Sequence, residues 1–400
     1  MKNLYLISII FVIIFINLLP ANVFGGNDRR LGEAGASELL INPWAKSSGW
    51  ADANVACVTG LEAIYQNVAG LSFAKSLEVG FTNTQYLVPS GIMLNNGGLA
   101  VRVGKEKKGV LGVSVMNMSW GSIDVTTNDL PDGNGGTFSP TQTIISLAYA
   151  REFSNSIHGG ITVKMVNESI ATINATGVCF DAGIQYVTGF GRNKNNERNR
   201  DNFRFGIAMK NVGSTMKYSG DGITFIGWSP NNDHTMTVEH RSQQFEMPSL
   251  IKIAFSYDIR FYEKARGSIA TNEEDEENER VQYVTNHKLT IAGNFTANSY
   301  THDQFHLGLE YGFKNILFIR GGYMYELGII SMGTVEDSNG NSHKEITTEN
   351  ASTALLGPTA GISLQWPFNK KTGAVIAVDY SYRFTNTFNG IHTFGLRIDL

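Results

Sequence analysis

The chain has 400 residues, a formal net charge of −4 and only 17% charged residues, whereas soluble domains average about 25%. Glycine (43), phenylalanine (23) and tyrosine (15) are abundant. The weak net charge excludes a strongly basic surface for nucleic acid. Low charge combined with many aromatic side chains favours a protein whose outer face meets lipid.

The first 25 residues have the pattern of a secretory signal peptide. Lys2 supplies a positive charge, residues 4–19 are almost unbroken apolar sequence, and Pro20 ends that stretch. Val23 and Gly25 suit the −3 and −1 positions of a cleavage site, so we expect cleavage after Gly25. A transmembrane anchor is the alternative, but the apolar stretch is short for a membrane span.

Residues 26–75 lack the alternation of a barrel strand. Short apolar pieces at 38–41, 53–58 and 62–71 are separated by small and polar residues. We interpret this region as a short N-terminal plug, luminal or periplasmic, that precedes the barrel at 76–400.

Period-two alternation dominates the rest of the chain. Phe305, Leu307 and Leu309 share one face of a predicted strand, and His306 lies on the other, because successive side chains of a strand point to opposite faces. Most such segments approach the roughly 9–11 residues that a tilted strand needs to cross a bilayer. We therefore predict an all-β fold, an antiparallel transmembrane β-barrel of about fourteen strands. The predicted strands are centred on 77–86, 98–104, 109–119, 141–153, 158–169, 177–188, 202–212, 247–257, 287–296, 304–312, 316–325, 353–366, 373–382 and 391–400.

The lengths of the connections support this prediction. An even number of strands places both ends of the barrel on the periplasmic side, with short turns there and longer loops outside. The stretches 120–140, 213–246 and 326–352 are long and fall outside. One long connection, 258–286, falls on the periplasmic side and contains an acidic run at 273–279. The run is either a site for a basic partner or cations, or a solvated insertion, and we favour the insertion.

The outer loop at 213–246 is the best candidate for contact with a partner. It contains Tyr218, Phe225, Ile226 and Trp228, and aromatic side chains dominate the energetics of protein interfaces. We predict either a protein-docking element or a lid folded into the barrel mouth.

No constellation of residues predicts an enzyme, a metal site or a cofactor. The chain has no Gly-rich phosphate loop and no Cys-x-x-Cys or His-Glu-x-x-His pattern. His302 and His306 lack a helix that would bring them together. Arg397 and Asp399 share the luminal face of a strand, where we expect them to brace the barrel rather than serve transport. Cys57 and Cys179 are either a disulfide or two separate thiols, and we favour the thiols.

Several short motifs, taken in order, resemble those of the PorV/PorQ family. They are GWADANVA at 49–56, EAIYQNVAGL at 62–71, IAMKNVG at 207–213, LGLEYGF at 307–313 and IRGGY at 319–323. The resemblance extends over nearly the whole mature chain. It implies a fourteen-stranded barrel similar to the FadL fatty-acid channel, in the outer membrane of a Bacteroidetes-type bacterium.

The same resemblance implies a non-catalytic component of the type IX protein secretion system. Such a protein would contact outer-membrane lipid, the translocon barrel and the C-terminal signal domains of secreted cargo, without nucleic acid. A FadL-like channel for hydrophobic small molecules is the alternative, and a purely structural barrel is a third. The fold alone does not separate them.

Overall fold

The protein is described from a computed structural model. The described residues are 30–104, 108–133, 135–191, 199–231, 233–268, 281–326, 331–336, 342–347, 353, 355–369, 373–386 and 388–400. The predicted signal peptide and the acidic run at 273–279 lie outside them. Within these ranges no helix combines the length and the apolarity that a membrane crossing requires.

Fourteen antiparallel strands form one closed barrel. Each strand pairs with the next along the chain, and the last strand pairs with the first. The strands are β1 (Leu77–Tyr86), β2 (Ile92–Val103), β3 (Gly109–Ser119), β4 (Thr141–Glu152), β5 (Ile157–Ile170), β6 (Ile173–Thr188), β7 (Phe203–Gly213), β8 (Leu250–Ser268), β9 (Val281–Asn298), β10 (Gln304–Phe313), β11 (Leu317–Glu326), β12 (Gly357–Asn369), β13 (Ala374–Arg383) and β14 (Ile391–Asp399). The predicted all-β barrel of fourteen strands is confirmed.

The connections carry short ribbons and one helical turn. Paired ribbons join Ile123–Asp124 to Thr137–Phe138, Met216–Lys217 to Gln244–Phe245, Thr224–Trp228 to Thr235–Glu239, and Ser331–Glu336 to Ser342–Thr347. Ser219–Gly220 adds to the edge of β6, and Asp221–Ile223 is a 3₁₀ turn. The barrel thus has one end with long loops, the loop end, and one end with the start of β1 and the end of β14, the terminal end.

The largest departures from the predicted strand boundaries are at β2, β6, β12 and the β8–β9 hairpin. β12 runs Gly357–Asn369 and so starts and ends later than the predicted 353–366. β2 begins at Ile92 and β6 at Ile173, earlier than expected. The expectation that 258–286 is a long loop is wrong in part, because Asp258 pairs with Thr290 and the ladder continues to Ser268 and Val281. In the sequence, charged residues at both odd and even positions, such as Asp258, Glu263 and Lys264, hide the alternation there, while the backbone pairing continues through Lys264↔Val284.

The outer face of the barrel carries an apolar band. On β10, Leu307 and Leu309 are half exposed while the alternate residues His306 and Glu310 are buried. The same pattern of exposed apolar and buried alternate residues recurs around the barrel; on β8, for example, Ile253 is exposed and Lys252 is buried. An exposed apolar band backed by a buried polar face is the arrangement of a barrel that has lipid as its outer solvent.

Residues 30–76, the luminal segment, lie inside the barrel apart from an exposed start at Leu31–Glu33. It contains five helical turns: Ser37–Leu40, Ala45–Ser48, Ala53–Ala56, Leu61–Tyr65 and Val68–Phe73. The last four contact, in turn, β12–β14, β7–β10, β1–β3 and β3–β6. Glycines allow the luminal segment to approach the wall closely; for example, a Cβ on Gly361 of β12 would lie 3.0 Å from the Cα of Gly49.

Candidate functional site: the barrel lumen

Asp52 is the centre of a hydrogen-bonded layer across the lumen. Its Oδ2 lies 2.5 Å from Nη2 of Arg383 on β13. Its Oδ1 accepts hydrogen bonds from Asn42 Nδ2 at 2.8 Å and from Gln66 Nε2 at 2.7 Å. Lys252 on β8 donates to Gln66 Oε1 at 2.8 Å. The layer therefore connects Asn42, Asp52 and Gln66, three separate parts of the luminal segment, to β8 and β13.

Charge in this layer favours the ionised form of Asp52. Burial alone would raise the pKa of the Asp52 carboxyl, but Arg383, with Lys252 and His306, outweighs it and holds that pKa below its ordinary value. The carboxylate is consequently an anion buried among cations. Removing either side of the pair leaves a charge without compensation.

Wall side chains also bind the backbone of the luminal segment. Lys210 Nζ donates to Tyr65 O at 2.5 Å, and Thr359 Oγ1 donates to Gly49 O at 3.1 Å. His306 Nδ1 lies 2.7 Å from Ala51 O, so that nitrogen carries the proton. Irregular backbone at membrane depth is tolerated only where such partners satisfy it.

Two cavities lie on either side of this layer. The loop-side cavity has a volume of about 330 Å³. Its lining includes Ile41, Asp52, Tyr65, Trp120, Lys252 and Arg383. The terminal-side cavity has a volume of about 580 Å³. Its lining includes Trp50, Cys57, Phe73, Arg204, Lys288 and Arg320. Both combine apolar surface with charged groups.

Two ion pairs lie in the lining of the terminal-side cavity. Arg320 Nε lies 2.6 Å from Glu310 Oε2, and Arg397 Nε lies 3.1 Å from Asp399 Oδ1. All four side chains are buried. Arg397 and Asp399 share the luminal face, as the alternation predicts.

A second contact joins the luminal segment to the loop end. Glu38 is buried beside Glu168 of β5, and Tyr218 donates a hydrogen bond to Glu168. Burial, and then the neighbouring Glu168, raise the pKa of the Glu38 carboxyl to about 8. Nearby, Gly35 N donates to Glu246 O at 3.0 Å. The 214–249 loop is thus attached at its base to the luminal segment.

The four residues predicted for docking do not form one cluster. Tyr218 packs on Phe245 with ring centroids 5.4 Å apart and belongs to the attached base of the loop. Phe225, Ile226 and Trp228 lie on the Thr224–Trp228 ribbon, with Ile226 76% and Trp228 67% exposed. Sequence reasoning missed Met236, which is exposed on the paired strand.

The other residues considered from sequence are also located. Cys57 and Cys179 are free cysteines. His306 is luminal, whereas His302 lies in the turn between β9 and β10. In the part of the chain that the structure describes, no cluster of three or more potential metal ligands occurs. Sequence reasoning also missed Asp52, Lys252 and Arg383. Alternation marks Lys252 and Arg383 as luminal charges, but nothing in the sequence indicates their partner.

Comparisons with known proteins found similar structures but no related sequence family. A Pseudomonas aeruginosa FadL homologue is 11% identical over 88% of this chain and 97% of its own, with a TM-score of 0.44. The Ralstonia pickettii toluene transporter TbuX is 11% identical over 90% and 97%, with a TM-score of 0.43. The P. putida toluene transporter TodX is 12% identical over 85% and 92%, with a TM-score of 0.43. No protein-family model and no curated protein matches the chain.

Proposed function

We propose that this protein is an outer-membrane barrel that passes small amphipathic molecules through its lumen, with the luminal segment as a movable plug. The observation that carries the proposal is the pair of cavities, about 330 and 580 Å³, on either side of the Asp52 layer. Ligand pockets for small molecules occupy roughly 300–1,000 Å³. Neither cavity has room for a folded cargo domain.

The chemistry of the cavities points to amphipathic ligands. In the loop-side cavity, Ile41 and Tyr86 provide apolar surface while Lys252 and Arg383 provide charge. Apolar walls with a few placed polar groups are typical of sites that orient a small ligand. We interpret the two cavities as successive binding sites on one path, one on the loop side of the Asp52 layer and one on its terminal side.

The contacts of the plug suggest how passage is controlled. Asp52, Gln66 and the backbone of the luminal segment are bound by side chains rather than by strand pairing. Such contacts can exchange for water or ligand without breaking the barrel ladder. We infer that opening releases the Asp52–Arg383 pair first, because that pair joins the segment to β13.

The apolar outer band supports placement in a membrane, and lipid is therefore the partner we propose for it. A barrel with exposed Leu307 and Leu309 and a buried polar face suits the bacterial outer membrane. The expected signal peptide is consistent with that location.

The transport proposal is tested with the purified full-length protein in proteoliposomes. Osmotic swelling is measured for small solutes of increasing apolar surface. We expect the wild type to admit small amphipathic solutes, and the variants Asp52→Asn and Arg383→Gln to admit them faster. Arg260→Gln is the matched control, because Arg260 pairs with Asp201 outside the luminal segment at 2.8 Å. Absence of swelling with every solute, in wild type and both plug variants, would refute transport.

A role in type IX secretion, resembling PorV/PorQ proteins, is the second candidate. The observation that favours it is the exposed ribbon with Ile226 and Trp228 on one face. The partners we propose for that ribbon are the translocon barrel or the C-terminal domains of secreted cargo. Affinity capture from solubilised outer membranes tests this, with Ile226→Ser/Trp228→Ser as the variant. Equal recovery of these partners by wild type and variant would exclude the ribbon as the docking site.

A further inference from the structure

A row of polar side chains crosses the outer face of the first six strands. Its members are directly paired from strand to strand and point outward. The row consists of Asn83, Asn95, Asn117, Thr143, Asn167 and Thr176. Asn83 donates to Asn95 at 2.8 Å, Asn117 to Thr143 at 3.1 Å, and Asn167 to Thr176 at 2.9 Å. Every position therefore carries an amide or a hydroxyl.

The next outward row toward the loop end is also uncharged. It consists of Gln85, Met93, Ser119, Thr141, Ser169 and Asn174. Eleven of the twelve positions in the two rows are polar, and none is charged. We call these two rows the amide–hydroxyl patch. The row below the patch is wholly apolar: Phe81, Gly97, Val115, Ile145, Met165 and Val178.

The opposite half of the barrel has a different outer rim. Aromatic residues point outward near the loop end of four strands there: Phe295 on β9, Phe305 on β10, Tyr323 and Tyr325 on β11, and Tyr382 on β13. The outward residues at that end of β7, β8 and β12 are aliphatic, for example Ile251 and Ala360. Aromatic rings at this level are typical of the membrane interface. The first six strands therefore differ from the others in having two uncharged polar rows near the loop end, where the other strands have aromatic or aliphatic residues.

The height of the patch follows from the tilt of the strands. Barrel strands tilt by about 35–45°, and neighbours lie about 4.8 Å apart, so a row across six strands rises by about 14–17 Å. The patch begins at the upper edge of the apolar band on β1 and climbs away from the bilayer core toward β6. It thus faces the lipid headgroup layer and the space above it.

The chemistry of the patch selects among the molecules found at that level. A water-facing protein surface usually carries about 25–35% charged residues, and a surface for phosphate carries Arg or Lys. The patch has neither. Closely spaced amides and hydroxyls match the hydroxyl groups of sugars, as donors and acceptors in one plane.

We infer that the amide–hydroxyl patch binds the saccharide headgroup of an outer-leaflet glycolipid whose acyl chains lie on the apolar row below. The inference rests on the outer-membrane placement proposed above and is independent of transport. Uncharged groups next to the apolar band give both halves of such a lipid a matching surface.

The test uses the purified full-length protein in detergent and native mass spectrometry. The probes are a rough-type lipopolysaccharide with a defined core saccharide and phosphatidylethanolamine. We expect the wild type to retain the lipopolysaccharide at least tenfold more tightly than the phospholipid. The variants Asn95→Leu/Asn117→Leu/Asn167→Leu and Thr143→Val/Thr176→Val should lose that preference. Thr188→Val, on the outward face of β6 at its opposite end, is the matched control and should keep it.

Folding of each variant is checked by its heat-modifiable migration on gels. If the triple Asn→Leu variant does not fold, the double Thr→Val variant, whose side chains keep their shape, still tests the inference. Equal retention of lipopolysaccharide by wild type and a folded patch variant would overturn the inference. So would equal retention of the two lipids by wild type, or a dimer of this chain that only the patch variants abolish. Swelling rates are measured on the same variants. Transport is therefore tested by swelling and glycolipid binding by lipid retention, so that the failure of one is distinguished from the failure of the other.

Discussion

Nη2 of Arg383, at the loop end of β13, lies 2.5 Å from the carboxylate of Asp52, 331 residues earlier in the chain. Both side chains are largely buried. This pair joins the luminal segment to the barrel wall.

Removing one member of this pair should destabilise the protein strongly. Arg383→Met leaves the Asp52 carboxylate buried without its cation, at a cost of about 3–5 kcal/mol. Urea unfolding in detergent measures the loss. The double variant Asp52→Asn/Arg383→Met should lose less than the sum of the two single losses. Additive losses would show that the two residues do not interact.

Stability should depend on pH through Glu38. Its pKa is raised from an ordinary value of 4.5 to about 8 by burial and by Glu168. The folded state therefore holds the proton more tightly than the unfolded state between these pH values. The contribution of Glu38 to stability should therefore be greatest below about pH 4.5. It should be lost as the pH rises from there through about 8. The urea midpoint of Glu38→Gln should not show this dependence on pH. If the midpoints of variant and wild type changed with pH in the same way, the buried Glu38 would not be the cause.

The close contact of Gly49 with Gly361 should not tolerate a side chain. A Cβ at Gly361 would meet Gly49 Cα at 3.0 Å, whereas a Cβ at Gly321 has only Thr359 O nearby, at 3.8 Å. Gly361→Val should displace the luminal segment and cost about 1–3 kcal/mol, measured by urea unfolding and by protease cleavage within residues 30–76. Gly321→Val is the control, and we expect no added cleavage from it.

Tyr218 and Trp228 should respond differently to truncation. Tyr218→Phe removes the donor to Glu168 and should cost about 1–3 kcal/mol, because a buried acceptor loses its partner. Trp228→Ser changes a side chain that is 67% exposed and should leave the unfolding midpoint within about 0.5 kcal/mol of wild type. Equal effects of the two substitutions on the unfolding midpoint would contradict an attached base and an exposed tip of this loop.

Cys57 should report on the position of the luminal segment. Burial raises the pKa of its thiol to about 11, so the reactive thiolate is scarce at neutral pH. With Cys179→Ala as background, maleimide labelling of the folded protein should be slow. Arg383→Met should accelerate it at least tenfold if the luminal segment moves. Unchanged labelling in that variant would indicate that the segment stays in place.

The alternation of residues such as Phe305, His306 and Leu307 determined the strands, their faces and their number. Pleated backbone places successive side chains on opposite sides, so lipid and lumen each select their own residues locally. The charges of Arg397 and Asp399 were placed on the luminal face for the same reason. The extension of β8 and β9 was not visible, because backbone pairing there outweighs an interrupted pattern.

The tertiary structure alone decided what fills the barrel. No local pattern shows that Asp52 meets Arg383, because that contact depends on how the closed barrel surrounds residues 30–76. It also separated Tyr218 from Ile226 and Trp228, which are close in sequence but lie on the base and the tip of one loop. The six-strand row from Asn83 to Thr176 likewise emerges only from register, which is a property of paired strands and of no single one.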